Sequence, residues 1–167
     1  MSDLRRNALR MRELLEHIVE CEGAIAHFYC DHHGLVTIGV GYLVDEAGAA
    51  NAAGEDRARR LAERPDVRFS QSSGQLVTDA EVLRDWRRVK QYGVEHPGVG
   101  AAQYGAVANL RIDSPSIRNL LDTTVRAFAD ELYRQRPFLM SFDERVAMAF
   151  VDVRYNPARV RLYGAET

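Results

Sequence analysis

Within residues 8 to 42 the apolar periodicity changes from helical to alternating, and that change restricts the chain to folds in which an amphipathic helix feeds directly into a β-hairpin. Met11, Leu14, Leu15, Ile18 and Val19 recur at i, i+3, i+4, i+7 and i+8, one stripe of a helix from about residue 8 to 22. Gly23 supplies a stop at its C-terminus. A hairpin is expected over 28 to 42: Phe28-Tyr29-Cys30 enters, Asp31-His32-His33-Gly34 turns, and Leu35 to Tyr42 returns. Gly34 fits the positive-φ position of a short turn. Val36, Ile38 and Val40 alternate onto one face, so Thr37, Gly39 and Gly41 are expected on the other. Two glycines beside a hydroxyl would leave a flat surface on which a bulky ligand reaches the backbone.

The rest of the chain reads as mainly helical. An Ala/Gly/Asn-rich stretch precedes a helix near 54 to 64, which Pro65 ends, and Ser70 to Gly74 is loop-like, so mobility is expected over 45 to 77. Thr78-Asp-Ala-Glu81 is a capping box opening a helix over about 78–92 that carries Val82, Trp86 and Val89. Pro97 to Leu110 is rich in Gly and Ala and has no clear period. Ser114-Pro115 opens a further helix with Ile117, Leu121, Val125, Phe128 and Leu132 on one stripe. Ser141-Phe-Asp-Glu144 has the form of a second capping box. The helix after it, Arg145 to Arg154, is apolar nearly all round and is expected to be buried and central, with Pro157 stopping it. The expectation is one α+β domain over 1–167: a small helix and hairpin lobe over about 12–75, an interlobe helix over about 78–92, and a mainly helical lobe over about 93–167.

Composition narrows the function classes. The 167 residues carry a formal net charge of −2, with 46% hydrophobic and 28% charged residues, an ordinary balance for a globular protein. The arginines at 57, 59, 60 and 64 and at 84, 87 and 88 are interleaved with acids and read as solvated helix faces, so no nucleic-acid partner is expected. No apolar run reaches membrane-spanning length, so no membrane insertion is expected. Cys21 and Cys30 fit no zinc spacing, and free thiols or one bridge both stay open. His32 and His33 lack a third ligand at fitting spacing, so no metal and no cofactor is expected. The N-terminus leads into an amphipathic segment without a signal-peptide apolar region, so a target outside the cytoplasm would need another delivery route.

Three side chains stand out. Glu22 continues the line Met11, Leu15, Ile18 into the last helical turn, where desolvation and the negative helix end would both favour the protonated acid a glycosidase uses to protonate a leaving oxygen. Asp31 sits where the first strand meets the turn, and Thr37 beside the glycines. Each alone has an ordinary reading: a solvated helix-end glutamate, a turn aspartate, a strand threonine.

Together, Glu22-Gly23, Tyr29, Asp31, Gly34 and Thr37-Ile-Gly-Val-Gly41 resemble the phage-type lysozymes, glycoside hydrolase family twenty-four and its relatives. The nine-residue step from Glu22 to Asp31 and the six-residue step from Asp31 to Thr37 match that family's pattern. The likeness is looser over Val77 to Trp86 and over Phe150 to Asn156. Tyr42 stands where many members have histidine, and the segment from 45 to 77 is longer than the minimal version. The short stretch after Asn156 suggests a trimmed C-terminal lobe or one domain of a larger protein.

The resemblance implies a muramidase that hydrolyses the β-1,4 bond between N-acetylmuramic acid and N-acetylglucosamine. It implies Glu22 as acid, with Asp31 and Thr37 positioning water or stabilising charge at the sugar carbon. Tyr29, Gly39, Gly41 and Tyr42 would line the substrate site, and peptidoglycan glycan strands would be the partner of a monomeric enzyme. The setting would be a phage endolysin released with a holin, or an antibacterial effector delivered by a secretion machine to the wall of a target cell. An effector implies an immunity protein in the producer. A non-catalytic wall-binding module of the same fold and a lytic transglycosylase are the alternatives.

Overall fold

The change of period falls where the helix gives way to strand. In the computed structural model, which describes residues 3–45, 51–71 and 73–155, helix α1 spans Ala8–Glu22 and is followed by β1 (Ile25–Cys30), β2 (Val36–Gly39) and β3 (Tyr42–Leu43). Then come α2 (Asn51–Ala62), β4 (Phe69–Gln71), α3 (Asp79–Glu95), β5 (Leu110–Ile112), α4 (Ser114–Gln135) and α5 (Glu144–Tyr155), with 3-10 turns at Leu4–Arg6, Ala101–Ala106 and Pro137–Ser141. The class is α+β, as expected. The part of the Ala/Gly/Asn-rich stretch at 46–50, position 72, and the expected helix stop at Asn156 and Pro157 lie outside the described residues.

The chain forms two compact units, one from Met1–Glu22 with Asp122–Thr167, the other from Gly23–Leu121. Helix α3 belongs wholly to the second, whereas α4 contributes residues 114–121 to the second and 122–135 to the first.

The first unit joins both ends of the sequence. Helix α1 buries Met11, Leu14 and Ile18, and α4 adds Val125, Ala129 and Tyr133. Leu4 is fully buried, and its backbone N–H donates to the Tyr133 hydroxyl at 3.0 Å. Helix α5 packs on α1 but buries only Ala147 and Val151, and Phe150 is 49% exposed. The expected buried central helix is therefore a one-sided helix. Its cap also differs from the expected box. Ser141 Oγ donates to the Phe138 carbonyl within the preceding 3-10 turn, and Asp143 accepts from the Arg145 N–H at 2.8 Å. An aspartate directly before the first helical turn meets the orphan donors better than a serine already committed to another turn.

The second unit holds two small antiparallel sheets, β1-β2-β3 and β4-β5, around a core that includes Phe28, Ile38, Leu61, Trp86, Val89, Tyr104 and Leu120. Thr78 and Glu81 form the expected reciprocal capping box at the start of α3. The loop expected over Ser70 to Gly74 begins later, because Ser70 and Gln71 lie in β4 and pair with Arg111 and Leu110. The turn proper is closed by the Gly74 N–H donating to the Gln71 carbonyl at 2.8 Å.

Candidate active site

Glu22 is the last residue of α1, and the helix ends there because Gly23 takes φ +73°, the left-handed conformation that terminates a helix at little cost to glycine. The sequence led to partial desolvation of Glu22; the residue is exposed instead. The apolar stripe is truly buried at Met11, Leu14 and Ile18, whereas Val19, one turn from the end, is already 37% exposed.

In the second unit, β1 runs into the turn at Asp31. The Asp31 N–H donates to the Leu35 carbonyl and the Gly34 N–H to the Asp31 carbonyl, both at 2.9 Å. Gly34 takes φ +73°, as its turn position requires. The Asp31 carboxylate fixes the turn from inside: Oδ1 accepts from the His33 N–H at 2.8 Å and the Leu35 N–H at 2.9 Å. Among the described residues Oδ2 is left uncommitted, on a half-buried side chain. One oxygen thus anchors the group in the turn.

Thr37 lies in the middle strand, paired with Tyr29 on one side and Leu43 on the other. It is 4% exposed, and its hydroxyl donates to the Leu35 carbonyl at 3.1 Å. Every residue of β2 is buried, so Thr37 and Gly39 of the expected open face are covered, whereas Gly41 beyond the strand is exposed. The glycines also differ from expectation. Gly39 and Gly41 both take φ +70° and turn the chain from β2 into β3, where Ile38 pairs with Tyr42. A Cβ on Gly39 would touch Ile117 and Leu120 of α4 at 3.9 and 4.0 Å. Both glycines are called for by the left-handed backbone of this turn. Tyr29 and Tyr42 are half-buried, and the Tyr42 side chain meets the Arg64 guanidinium.

Two buried carboxylates of the second unit, Asp45 and Asp85, were not singled out by the sequence. Asp45, just after β3, is 4% exposed. Its Oδ2 accepts from the Val36 N–H at 3.0 Å and from Lys90 Nζ at 2.6 Å, and its Oδ1 accepts from Trp86 Nε1–H at 3.1 Å. Lys90 also donates to the Gly34 carbonyl at 2.9 Å, so one ion pair ties the Asp31 turn and the head of β2 to α3. Gly54 of α2 closes over it, since a Cβ there would lie 2.6 Å from Asp45 Oδ1 and 2.8 Å from Trp86. Asp85, on α3, is 2% exposed and accepts from the Asn109 and Leu110 N–H groups and from Arg88. Burial pushes its carboxyl up from the usual range despite these donors. Near it on β1, His27 is buried and held in one tautomer. Its Nδ1 accepts from Arg111 at 2.9 Å, and its Nε2–H donates to the Ala101 carbonyl at 3.2 Å. Burial pushes this imidazole below its ordinary value, with Arg111 adding to the effect.

Cys21 is an exposed free thiol and Cys30 a buried one. Burial raises Cys30, which sits against Gly93 and Tyr104 and acts as a small core residue.

No protein-family model matches the chain, and no curated protein matches it. The protein is of the α+β class, its first long helix ending on a glutamate and leading into a hairpin whose turn is closed by an aspartate.

Proposed function

We propose that the protein is a muramidase that hydrolyses the β-1,4 bond between N-acetylmuramic acid and N-acetylglucosamine in peptidoglycan. The observation that carries the reading is local. The Glu-Gly, Asp and Thr-Ile-Gly-Val-Gly motif occupies a helix end, a hairpin turn, and the following strand with the turn that ends it, with Asp31 held through one oxygen and the other uncommitted. Glu22 would protonate the glycosidic oxygen, and Asp31 would orient water or offset positive charge at the sugar carbon. The enzyme would act on the wall of a target cell, as an endolysin or as a delivered effector matched by an immunity protein.

A second reading, a peptidoglycan-binding module without activity, is favoured by one observation. Thr37 is 4% exposed and its hydroxyl is spent within its own hairpin, which is poor placement for positioning water.

Turbidity clearing of outer-membrane-permeabilised Gram-negative cells tests both readings. Wild type is expected to clear, and Glu22→Gln to lose roughly a hundred-fold or more, the scale of a missing general acid. Equal clearing by both would remove Glu22 from the chemistry. Retention on insoluble peptidoglycan without clearing by either would establish the binding module. The released products also discriminate, because a hydrolase leaves one more water on the sugar than a transglycosylase does.

A further inference from the structure

Helix α3 presents Glu81, Arg84, Asp85 and Arg88 along one stripe, and Gln71 of β4, Leu110 of β5 and Asn109 just before it lie beside them. Together these side chains line a cavity of about 300 Å³, entirely within the second unit. That volume is at the small end for ligand sites and suits one sugar ring or one amino acid, not a polymer segment.

The lining is polar apart from Leu110, so an apolar occupant would leave donors and acceptors stranded. The polar groups are not all spent. Asp85 is consumed by the Asn109 and Leu110 N–H groups and by Arg88, at 2.9 to 3.1 Å. Glu81 is held by its cap through Oε2, which accepts from the Thr78 N–H at 2.8 Å and the Thr78 hydroxyl at 2.9 Å, and it also meets the Gln71 side chain. Arg84 is different. It is exposed and feels the nearby Glu81 carboxylate, but among the described residues its guanidinium makes no hydrogen bond. The side-chain amide of Asn109 is likewise uncommitted among the described residues. Asp85, buried in the lining, carries a desolvation cost that an apolar α3 face would avoid. A buried charge in the lining of a cavity beside an unspent guanidinium is an arrangement that suits a ligand site.

We propose that this cavity is a second binding site, for a small organic carboxylate that also carries hydroxyl or amide groups. Arg84 would take the carboxylate, an acid–guanidinium match of the bidentate kind, and the Asn109 side-chain amide would meet the neutral groups. The choice of an acidic amino sugar as first probe rests on the muramidase reading, whereas the carboxylate recognition does not.

The test is a heteronuclear NMR titration of the intact chain with N-acetylmuramic acid. Saturable shifts are expected at the Asn109 and Leu110 amides and at the Arg84 Nε–H. Arg84→Ala, an exposed position, should weaken binding about ten-fold or more, the scale of a lost charge-assisted contact, with its thermal midpoint unchanged. N-acetylglucosamine, which lacks the carboxylate, should bind as weakly to wild type as the acid binds to Arg84→Ala. Glu22→Gln should give the wild-type titration, so this result stands whether or not the protein clears cells. No saturable shift, an unaltered affinity in Arg84→Ala, or equal binding of inorganic phosphate would overturn the proposal.

Discussion

At the scale of the residue, the largest single stake is the Asp45 carboxylate. It receives a backbone N–H, an indole N–H and an ammonium, all in a place that water barely reaches. Asp45→Ala would strand three donors, one of them charged, and breaking a buried pair in this way costs about 3–5 kcal/mol. The expected outcome is a fall of that size in urea-unfolding free energy, whereas an effect near zero would mean that Lys90 escapes to solvent. His27 makes a separate, pH-dependent stake. Its folded value lies below the ordinary 6.5, so the unfolded chain takes up the proton first as pH falls. Stability from this group is therefore intact above about pH 6.5 and is lost as the pH drops, at up to about 1.4 kcal/mol per pH unit, until the folded imidazole protonates as well. Protonation deletes the acceptor that Arg111 uses and sets two cations together. Subtracting the stability profile of His27→Gln from that of wild type should isolate this slope; parallel profiles would rule out the linkage. Neither residue announces its role in the sequence, because each depends on a partner 41 or more positions away: Trp86 and Lys90 for Asp45, Arg111 for His27.

At the scale of the element, local signals were legible and long-range pairing was not. The α1 stripe with Gly23, the turn at Gly34 and the Thr78–Glu81 box all act within four residues of themselves, so the sequence displays them complete. The box permits a direct check. Thr78→Ala removes the acceptor for the Glu81 N–H and one side of the reciprocal pair, for an expected loss of about 0.5–2 kcal/mol in chemical denaturation. A loss below the lower figure would mean that packing of Val82, Trp86 and Val89 alone holds α3 in place. The pair β4-β5 lies at the other extreme: two strands of three residues each, joined only through Phe69↔Ile112, Ser70↔Arg111 and Gln71↔Leu110. Three residues display no period, and their strand partners lie 39 or more positions away, so a loop was the natural reading of Ser70 to Gly74. The glycines misled for a related reason. Alternation assumes an unbroken strand from Leu35 to Tyr42, but positive φ at Gly39 and Gly41 ends β2 and reverses the chain, so the face assignment stops at Ile38. Of the candidate site, the positions of Glu22 and Asp31 were legible; the exposure of the one and the burial of Thr37 were not, since both depend on what the fold brings up to them.

At the scale of the whole molecule, the division into two units follows from the chain having two separate sets of buried side chains. The cluster around Trp86 draws only on residues between Phe28 and Leu120, whereas Leu4, Met11, Leu14 and Ile18 are buried in the unit that also takes in Val125, Tyr133 and Val151. Leu4 is a sensitive probe of that second set: it is fully buried, it comes from a 3-10 turn of three residues, and its N–H depends on the Tyr133 hydroxyl 129 positions later. Leu4→Ala should cost about 2–5 kcal/mol, the usual range for truncating a buried leucine. Where that cost appears depends on how far the two cores share cooperativity. Trp86 is the only tryptophan, so its fluorescence follows the Gly23–Leu121 unit, whereas far-ultraviolet circular dichroism follows the helices of both. Separate cores predict that Leu4→Ala lowers the dichroism midpoint in urea and moves the Trp86 midpoint much less. Equal shifts in the two probes would instead mean that α4, whose residues 114–121 and 122–135 belong to different units, carries the loss from one core to the other as a single transition.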